Sequence, residues 1–260
     1  MEILKRENLE TYINELLKSK YYSDYGPNGL QVEGSENISK IAFSVSATKL
    51  SIEKAIELNA DTLIVHHGLF WKFHPVKTIT GPFSKRIKPL IKNEINLFGY
   101  HLPLDGHKKI GNAAMIGKLL SLENIESFGD YKKMPTGIKG TFPIEIKVKD
   151  LKSKLEKLLD HKVLLSSHNK DQFIKSIGII TGGANSSWNQ CIKENLDAYL
   201  TGEMSEHDWH EAKESEIHMF AGGHHATEQF GIKALQKNIE ENFKEKFKIE
   251  TVYIDSENPA

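Results

Sequence analysis

The chain has 260 residues, of which 39% are hydrophobic and 27% charged, with a formal net charge of −1. This composition is typical of a globular protein and gives no overall field that would attract nucleic acid or an anionic membrane. The single cysteine, Cys191, excludes a disulfide within the chain and a cysteine-based zinc knuckle. The N-terminal segment lacks the apolar core of a signal peptide, and no run reaches about 18 apolar residues, so we expect a cytoplasmic protein without a membrane span.

Helical and strand patterns alternate in the first half of the chain. Residues 7–19 have apolar residues at helical spacing, and a loop rich in Gly, Pro, Asn and Asp follows, YYSDYGPNGLQVEG. Next come a strand (IAFSVSAT), a helix (SIEKAIELNA) and a second strand (DTLIVHH). A helix near residues 83–93 leads to NLFGYHLPLD, a strand that runs into a loop. This order is typical of β-α-β units in a parallel sheet.

A later passage resembles the first β-α-β passage without a gap, at an offset of 136 residues. The first, IAFSVSATKLSIEKAIELNADTLIVHHG, begins at Ile41, and the second, IGIITGGANSSWNQCIKENLDAYLTGE, begins at Ile177. We interpret this likeness as an internal duplication. The motifs VHHG and LTGE then occupy equivalent strand ends, where His67 corresponds to Glu203.

The segment between the two passages contains glycine and proline. We expect a loop or boundary at residues 130–143, followed by a short strand (FPIEIKV) and a helix. The predicted fold is α/β, with two similar intertwined βαβ-based halves that could form one structural unit. Residues 1–128 carry VHHG and HLPLDG, and residues 129–260 carry TGE and HHATE. Ligands bind beyond the carboxyl ends of parallel strands, so we expect a metal site between the halves.

Three clusters of histidine and carboxylate residues follow apolar runs where predicted strands end. They are VHHG with His66 and His67, GYHLPLDGH with His101, Asp105 and His107, and AGGHHATEQFG with His224, His225 and Glu228. Imidazole and carboxylate groups together are typical ligands of Zn, Mn, Fe, Co or Ni. In a helix, His224 and Glu228 would share one face because they are four residues apart. The sequence therefore predicts a metal site assembled from distant segments.

The adjacent histidines His66 and His67 leave two arrangements open. Side chains alternate across an extended strand, so both imidazoles cannot point the same way there. Either only one of them is a ligand, or the pair leaves the strand and each addresses a different metal ion. The second arrangement is a dinuclear site, with ions about 3.5–4 Å apart.

Other catalytic patterns are missing from the sequence. It contains neither the G-x-x-x-x-G-K-[ST] loop of P-loop NTPases nor a G-x-S-x-G nucleophile elbow. The glycine-rich TGGANSS, residues 181–187, follows a strand and is interpreted as a turn. Its backbone N–H groups could hold a phosphate.

Motifs along the whole chain occur in the order of a known family. They are DYGPNGLQVEG, VHHGLFWK, GYHLPLDGH, TGG, DAYLTGE, SEHDWH and AGGHHATEQFGI. By these motifs the chain resembles the YbgI-type proteins, the GTP cyclohydrolase 1 type 2 homologues related to the NGG-interacting-factor proteins. The resemblance implies an α/β fold of two intertwined halves. It also implies a toroidal homohexamer, a trimer of dimers, with a dinuclear metal site facing its cavity.

The resemblance also implies roles for individual residues. The metal ligands of the family fall on five positions, His66, His67, Asp105, His224 and Glu228. Asp105 and Glu228 would bridge two divalent ions per subunit (Zn, Fe, Mn, Ni or Co), and His225 would not be a ligand. His101 and Glu203 would lie close by as catalytic candidates, with His101 as a general acid.

Two functions are compatible with these residues. The first is a metal-dependent hydrolase of a nucleotide or related heterocycle, which the family name implies as opening of the guanine imidazole ring of GTP. The alternative is a non-catalytic metallochaperone or a metal-storage or assembly module, which would use the same ligands. A protein-interaction or transcription-linked role is suggested by the names of distant relatives alone. We expect neither a membrane nor a nucleic acid as partner.

Overall fold

The computed structural model describes residues 2–260 and divides into two compact units. Unit 1 contains the chain up to Leu104 together with Ile232–Glu257, and unit 2 contains Asp105–Gly231 with Asn258–Ala260. These bounds differ from the predicted halves, residues 1–128 and 129–260, for two reasons. The helix after Gly111 packs into the core of unit 2, and a C-terminal strand joins the sheet of unit 1.

Strands and helices are numbered in chain order. The strands are β1 (Leu4–Lys5), β2 (Gly29–Val32), β3 (Asn37–Ile38), β4 (Lys40–Ser46), β5 (Thr62–His67), β6 (Asn96–Gly99), β7 (Glu123–Tyr131), β8 (Met134–Lys147), β9 (Leu164–Ser166), β10 (Phe173–Ile179), β11 (Ala198–Thr201), β12 (His218–Ala221) and β13 (Glu250–Tyr253). The α-helices are α1 (Arg6–Leu17), α2 (Lys49–Glu57), α3 (Gly81–Lys92), α4 (Leu102–Asp105), α5 (Asn112–Leu119), α6 (Val148–Leu159), α7 (Asn189–Lys193), α8 (Glu206–Glu214) and α9 (His224–Phe243). Short 3-10 helices cover Ser19–Tyr21 and Asn185–Trp188.

The main sheet of unit 1 has the strand order β13-β4-β5-β6-β2. The first four of these strands run parallel, and β2 is antiparallel to β6. Nearly every residue of β4 and β5 is buried, as expected for parallel strands that are covered on both faces. Because these strands are parallel, the carboxyl ends of β4, β5 and β6 lie at the same edge of the sheet.

The main sheet of unit 2 has the strand order β7-β8-β10-β11-β12-β9. Its centre, β10 to β12, is parallel, and the flanking strands are antiparallel to their neighbours. Helix α6 places Leu151, Leu155 and Leu159 at intervals of four residues, and all three are buried in the core of the unit. The carboxyl ends of β10, β11 and β12 again share one edge.

The two β-α-β passages have the same local geometry. Asn59 follows α2 with a φ of 53°, and Asn195 follows α7 with a φ of 52°, a left-handed conformation that asparagine tolerates. Two residues later, Asp61 and Asp197 each accept backbone N–H groups from the start of the preceding strand, at 2.7–3.0 Å and 2.8 Å. The two passages thus have matching chemistry at matching positions, and their origin in a duplication stays a prediction.

Two segments that were predicted as loops contain strands. Residues 130–143 lie almost entirely in β7 and β8, which pair as a long antiparallel ribbon. Gly137 lies in β8 where a side chain would overlap the carbonyl of Ile179, so this glycine allows close strand pairing and does not mark a loop. The predicted strand FPIEIKV is mostly the end of β8, and YYSDYGPNGLQVEG contains the edge strand β2.

The expectations from composition agree with the fold. Cys191 is fully buried, and burial raises the pKa of its thiol to about 12, so this cysteine is a small core residue. Across residues 2–260, no helix combines the length and the apolar character needed to cross a bilayer.

Candidate metal centre

Unit 1 brings three imidazoles together at the carboxyl edge of its parallel strands. His66 and His67 are the last two residues of β5, and His101 lies between β6 and α4. Each of the three offers a ring nitrogen within 4.8 Å of the other two. We call these residues the imidazole cluster. Three imidazole nitrogens at this spacing can bind one cation or flank two.

The adjacent histidines are arranged differently from the expectation. Both belong to β5, yet the ring centroids of His66 and His67 are only 4.6 Å apart. The pairing of β5 with β6 ends at Val65, so His67 has a paired strand on one side only, where it lies opposite Ser46. Since the sheet constrains His67 weakly, its ring can turn towards that of His66. The expectation that an extended strand keeps the two rings apart is therefore wrong.

His66 and His67 are each held through the Nδ1 atom. That of His66 lies 3.0 Å from the carbonyl oxygen of Tyr100, and that of His67 lies 3.0 Å from Oγ of Ser46. A carbonyl oxygen only accepts, so Nδ1 of His66 carries the proton and Nε2 keeps its lone pair in the neutral ring. Metal-binding histidines commonly have this arrangement.

Asp24 contacts the imidazole cluster, and the sequence analysis did not identify it. It is 4% exposed, and its carboxylate lies 2.8 Å from Nδ1 of His101. Burial raises the pKa of this carboxyl group, but hydrogen bonds from His101, Asn28 and Tyr25 outweigh burial, so the pKa lies below its ordinary value. The ionised carboxylate accepts the Nδ1 proton of His101. The available indication was the motif DYGPN, in which a buried acid precedes an asparagine in a turn.

Unit 2 contains a second group of possible metal ligands. Asp105 and Glu228 are 5% and 2% exposed, and each offers a carboxylate oxygen within 4.8 Å of the other. Glu228 also lies 3.2 Å from Nε2 of His224, one turn earlier on α9, as the spacing of four residues predicts. We call Asp105, His224 and Glu228 the carboxylate cluster. Two buried carboxylates this close repel each other unless a cation or a proton compensates their charge.

Asp105 is oriented by two polar side chains that the sequence analysis did not identify. It ends the short helix α4, where a loop was predicted. Its Oδ1 atom accepts hydrogen bonds from Nδ2 of Asn112 at 2.8 Å and from Oγ1 of Thr181 at 3.2 Å. Asn112 in turn accepts the backbone N–H of Gly231 at 2.6 Å. The turn TGGANSS therefore reaches the candidate site through Thr181.

Gly182, in the same turn, has to be glycine for two reasons. Its φ is +68°, a conformation that side chains rarely adopt. A Cβ atom there would overlap Oε1 of Glu228 and lie 3.2 Å from Nε2 of His224. The turn thus provides the space in which Glu228 and His224 meet.

Glu203, a predicted catalytic candidate, lies two residues beyond β11 and contacts His224. Its carboxylate is 2.5 Å from Nδ1 of His224, and its side chain is 48% exposed. Burial lowers the pKa of His224, but hydrogen bonds to Glu228 and Glu203 and their charges outweigh burial and raise the pKa to about 9. Without a cation, His224 is therefore an imidazolium ion at neutral pH. A metal ion that binds Nε2 has to displace its proton.

Comparison with known proteins places the chain in a family. A sequence model of Duf34/NIF3 (NGG1p interacting factor 3) matches residues 4–259. The chain belongs to this family. The resemblance that the motifs indicated is confirmed.

Relatives of this Duf34/NIF3 protein match over nearly their full length. A "GTP cyclohydrolase 1 type 2 homolog" of Pasteurella multocida is 41% identical over 252 residues, which cover 97% of the chain and 98% of the relative. A protein of the same description from Escherichia coli K12 is 40% identical over 258 residues, with 99% and 100% coverage. A solved structure described as "Structural genomics, protein ybgI, unknown function" has a TM-score of 0.89 at 39% identity, with 99% and 100% coverage.

The second histidine of each of the two longer motifs has other contacts in this Duf34/NIF3 protein. Nδ1 of His107 accepts the backbone N–H groups of Lys109 and Ile110 at 3.2 and 3.1 Å. His225 is 7% exposed, and its backbone N–H donates to the carbonyl of Ala260. Among the described residues, neither histidine belongs to a group of three or more metal-ligating side chains.

Proposed function

We propose that this Duf34/NIF3 protein binds two divalent metal ions per subunit and uses them to hydrolyse a nucleotide or a related heterocycle. The observation that carries the proposal is the imidazole cluster, in which one ring nitrogen of each histidine lies within 4.8 Å of the other two and each Nδ1 is already hydrogen-bonded. The residues also fit metal ions chemically. Imidazole nitrogen and buried carboxylate oxygen suit Zn, Fe, Mn, Ni or Co, and the donors do not discriminate among these metals.

The imidazole cluster and the carboxylate cluster are proposed to serve the same pair of ions. Only three residues separate His101 from Asp105 along the chain, so one helical turn links a member of each cluster. A dinuclear site needs a bridging carboxylate and more donors than either cluster offers. The proposed ligands are those that the family resemblance implies: His66, His67, Asp105, His224 and Glu228. Asp105 and Glu228 are the proposed bridges.

When bound, a pair of divalent ions supplies Lewis acidity and lowers the pKa of a water molecule. The protein side chains orient the substrate and move protons. His101 is held by Asp24 through Nδ1, so Nε2 is the atom at which it gives or takes a proton. Glu203 is about half exposed, and its carboxylate can contact a substrate or accept a proton. These two residues are the proposed catalytic groups.

Aromatic side chains beside the imidazole cluster support a flat heterocycle as the substrate. The rings of Trp71 and His101 form a T-shaped pair with centroids 5.0 Å apart, and Trp71 stacks on Phe73 at 5.4 Å. Phe73 is 63% exposed, so its ring is available to a ligand. Stacking of a nucleobase on an aromatic side chain contributes about 1–3 kcal/mol and tolerates different bases. The relatives described as GTP cyclohydrolase 1 type 2 homologues agree with this substrate class.

A non-catalytic metallochaperone or a metal-storage or assembly module is the second candidate. The imidazolium of His224 favours it, because this charge partly balances the carboxylates when no metal is bound. A protein that tolerates its metal-free state can load and release ions reversibly. The homohexamer, a toroidal trimer of dimers, and the cytoplasmic location stay predictions from the family resemblance and the sequence. Light scattering of the purified protein tests the hexamer.

Metal analysis combined with an activity assay tests the proposed function. Protein that has been stripped with a chelator and reloaded should retain about two ions per chain and hydrolyse GTP or a related heterocycle. Asp105→Asn should keep the fold and lose on the order of 100-fold in metal affinity and turnover. Asp197→Asn, which removes a carboxylate that only caps a strand, should leave both unchanged.

The outcomes separate the two candidate functions. The protein could bind metal, turn over no member of a broad nucleotide panel and transfer the metal to an acceptor protein. That result would contradict the hydrolase function and support the metallochaperone function. Reloaded protein that retains no metal ion would contradict both.

A further inference from the structure

The turn that contains DYGPN reaches both the ring and the backbone of His101. Oδ1 of Asp24 accepts the Nδ1 proton of His101 at 2.8 Å, and Oδ2 accepts the backbone N–H of Leu102 at 2.9 Å. Oδ1 of Asn28 accepts the backbone N–H of His101, also at 2.9 Å. A single turn therefore holds the imidazole and the first residue of α4.

Asp24 has only one orientation in this arrangement. Besides His101 and Leu102, it accepts the backbone N–H of Tyr25 at 2.6 Å and Nδ2 of Asn28 at 2.9 Å. Each carboxylate oxygen thus accepts two N–H groups. An ionised carboxylate has no proton to donate, so four donors around a buried one satisfy it and fix its plane.

We propose that Asp24, oriented by Asn28, is the positioning residue of the imidazole cluster. It holds His101 as the Nδ1–H tautomer, so the lone pair of the neutral ring is on Nε2. Asp24 acts only through His101. The consequence for turnover rests on the proposed function, whereas the tautomer does not.

An amide at position 24 cannot replace the carboxylate. Asparagine has one accepting oxygen and one NH2 group, which would face either the donors at Oδ1 or those at Oδ2. Each side includes one backbone N–H that cannot turn away, that of Tyr25 at Oδ1 and that of Leu102 at Oδ2. The second donor at Oδ2, the amide of Asn28, is fixed because its Oδ1 atom accepts the backbone N–H of His101, whereas the second donor at Oδ1, the imidazole of His101, can change its tautomer. An NH2 group that faces His101 therefore opposes one fixed donor and the reverse orientation opposes two, so we expect the NH2 group to face His101. The proton of His101 then moves to Nε2.

Nitrogen NMR of the metal-free protein tests this assignment. In its neutral form, His101 of the wild type should show a pyrrole-type Nδ1 and a pyridine-type Nε2. The variant His101→Gln identifies its signals. Asp24→Asn should reverse the two types or average them, and Asp24→Glu, which keeps the carboxylate, should restore the wild-type pattern in part.

Asp61→Asn is the matched control in the same unit. Asp61 also accepts two backbone N–H groups, from Ser39 and Lys40, but it does not contact the cluster. Its replacement should cost stability and leave the His101 signals unchanged. In metal-loaded protein, Asp24→Asn should lower kcat by roughly 10–100-fold and change KM little.

Two results would overturn the proposal: an Nε2–H tautomer of His101 in the wild type, or His101 signals that Asp24→Asn leaves unchanged. If Asp24→Asn does not fold, the wild-type spectrum decides by itself, and Nδ1–H supports the proposal. The spectra need neither metal nor substrate. Failure of the proposed function is therefore distinguishable from failure of this assignment.

Discussion

The carboxyl ends of the two β-α-β passages share a backbone arrangement and differ in their side chains. Ser46 in unit 1 corresponds to Gly182 in unit 2, and His67 corresponds to Glu203. In unit 1, the hydroxyl of Ser46 lies 3.0 Å from Nδ1 of His67. The last residue of β4 therefore orients the last residue of β5. In unit 2, the missing side chain of Gly182 leaves room for Glu228, which comes from helix α9. One scaffold thus supports two different ways of building a ligand group.

The two groups also differ in charge. The rings of His66 and His67 are held by a carbonyl and a hydroxyl, which add no charge. The carboxylate cluster has two buried acids, and Glu203 adds a third carboxylate beside His224. The two proposed divalent ions would carry four positive charges, which neutral imidazoles cannot balance. We infer that the imidazoles mainly set geometry and that the carboxylates mainly balance charge.

The largest effect is expected where the difference between the strand ends is steric. Gly182→Ala adds a Cβ atom that overlaps Oε1 of Glu228, which is buried and has little room to move. We expect roughly 100-fold weaker metal binding, the upper end for groups that orient ligands. The left-handed φ of +68° should cost a further 1–2 kcal/mol of stability, roughly. Titration calorimetry and thermal unfolding measure the two effects.

Gly81→Ala is the control for backbone strain alone. Gly81 also has a positive φ, +52°, but an added Cβ atom would meet nothing within 4 Å. The Gly81→Ala variant should lose about 1–2 kcal/mol of folding stability and keep the metal affinity of the wild type. Equal loss of metal affinity in both variants would show that the space beside Glu228 is not what matters.

Much of the fold was predictable because its determinants are local. Apolar runs located β4, β5, β10 and β11, and the spacing of His224 and Glu228 correctly placed both on one helix face. The likeness of the two β-α-β passages was visible because an asparagine and an aspartate follow each helix. The family resemblance then supplied the order of the motifs along the whole chain.

The missed features depend on contacts between distant residues. Asp24 is 77 positions from His101, and Thr181 is 76 positions from Asp105, so no periodic pattern connects them. In β8, Gly137 suggested a loop because the strand that crowds it, β10, is remote in sequence. Only the tertiary structure shows which glycine permits a turn and which permits a close approach of two strands.

A second expected effect concerns the opposite, amino-terminal edge of the sheets, where Asn96 of unit 1 and His218 of unit 2 begin equivalent strands. His218 is fully buried, and burial, reinforced by neighbouring His168, lowers its pKa to about 4. In the unfolded chain this imidazole takes up a proton near pH 6.5, whereas in the folded protein it stays neutral. The contribution of His218 to folding stability is therefore present above pH 6.5 and is lost as the pH falls towards 4. The variant His218→Asn has the residue that unit 1 has at the equivalent position. Urea unfolding at pH 7 and at pH 4.5 measures how much the free energy of unfolding falls between the two, and this fall should be smaller in the variant by roughly 2–3 kcal/mol.

Ser167→Ala separates burial from hydrogen bonding at this position. It removes the hydroxyl 2.9 Å from Nδ1 of His218 and keeps the imidazole. Because burial is the main cause of the low pKa of His218, this variant should lose as much folding stability between pH 7 and pH 4.5 as the wild type does. If His218→Asn loses as much folding stability in acid as the wild type, then His218 is not the cause of that loss.

The smallest expected effect is a change in the number of protons that metal binding releases. It tests the difference in charge between the two groups of ligands. In the metal-free protein the pKa of His224 is about 9, above the ordinary value because Glu228 and Glu203 outweigh burial. The ion pairs of this imidazolium stabilise the fold fully below about pH 6.5 and are lost as the pH rises through about 9. Apparent metal affinity should therefore rise about tenfold per pH unit up to about pH 9 and then level off.

Calorimetry at pH 7.5 in buffers of different ionisation enthalpy counts the protons that metal binding releases. About one proton should come from His224. Glu203→Gln removes one of the two carboxylates that raise the pKa of His224, so fewer protons should be released. Glu206→Gln, at an exposed position on α8, is the control and should match the wild type. If Glu203→Gln and the wild type release equal numbers of protons, then the carboxylates do not set the charge of His224, and the contrast drawn between the two groups of ligands fails at this residue.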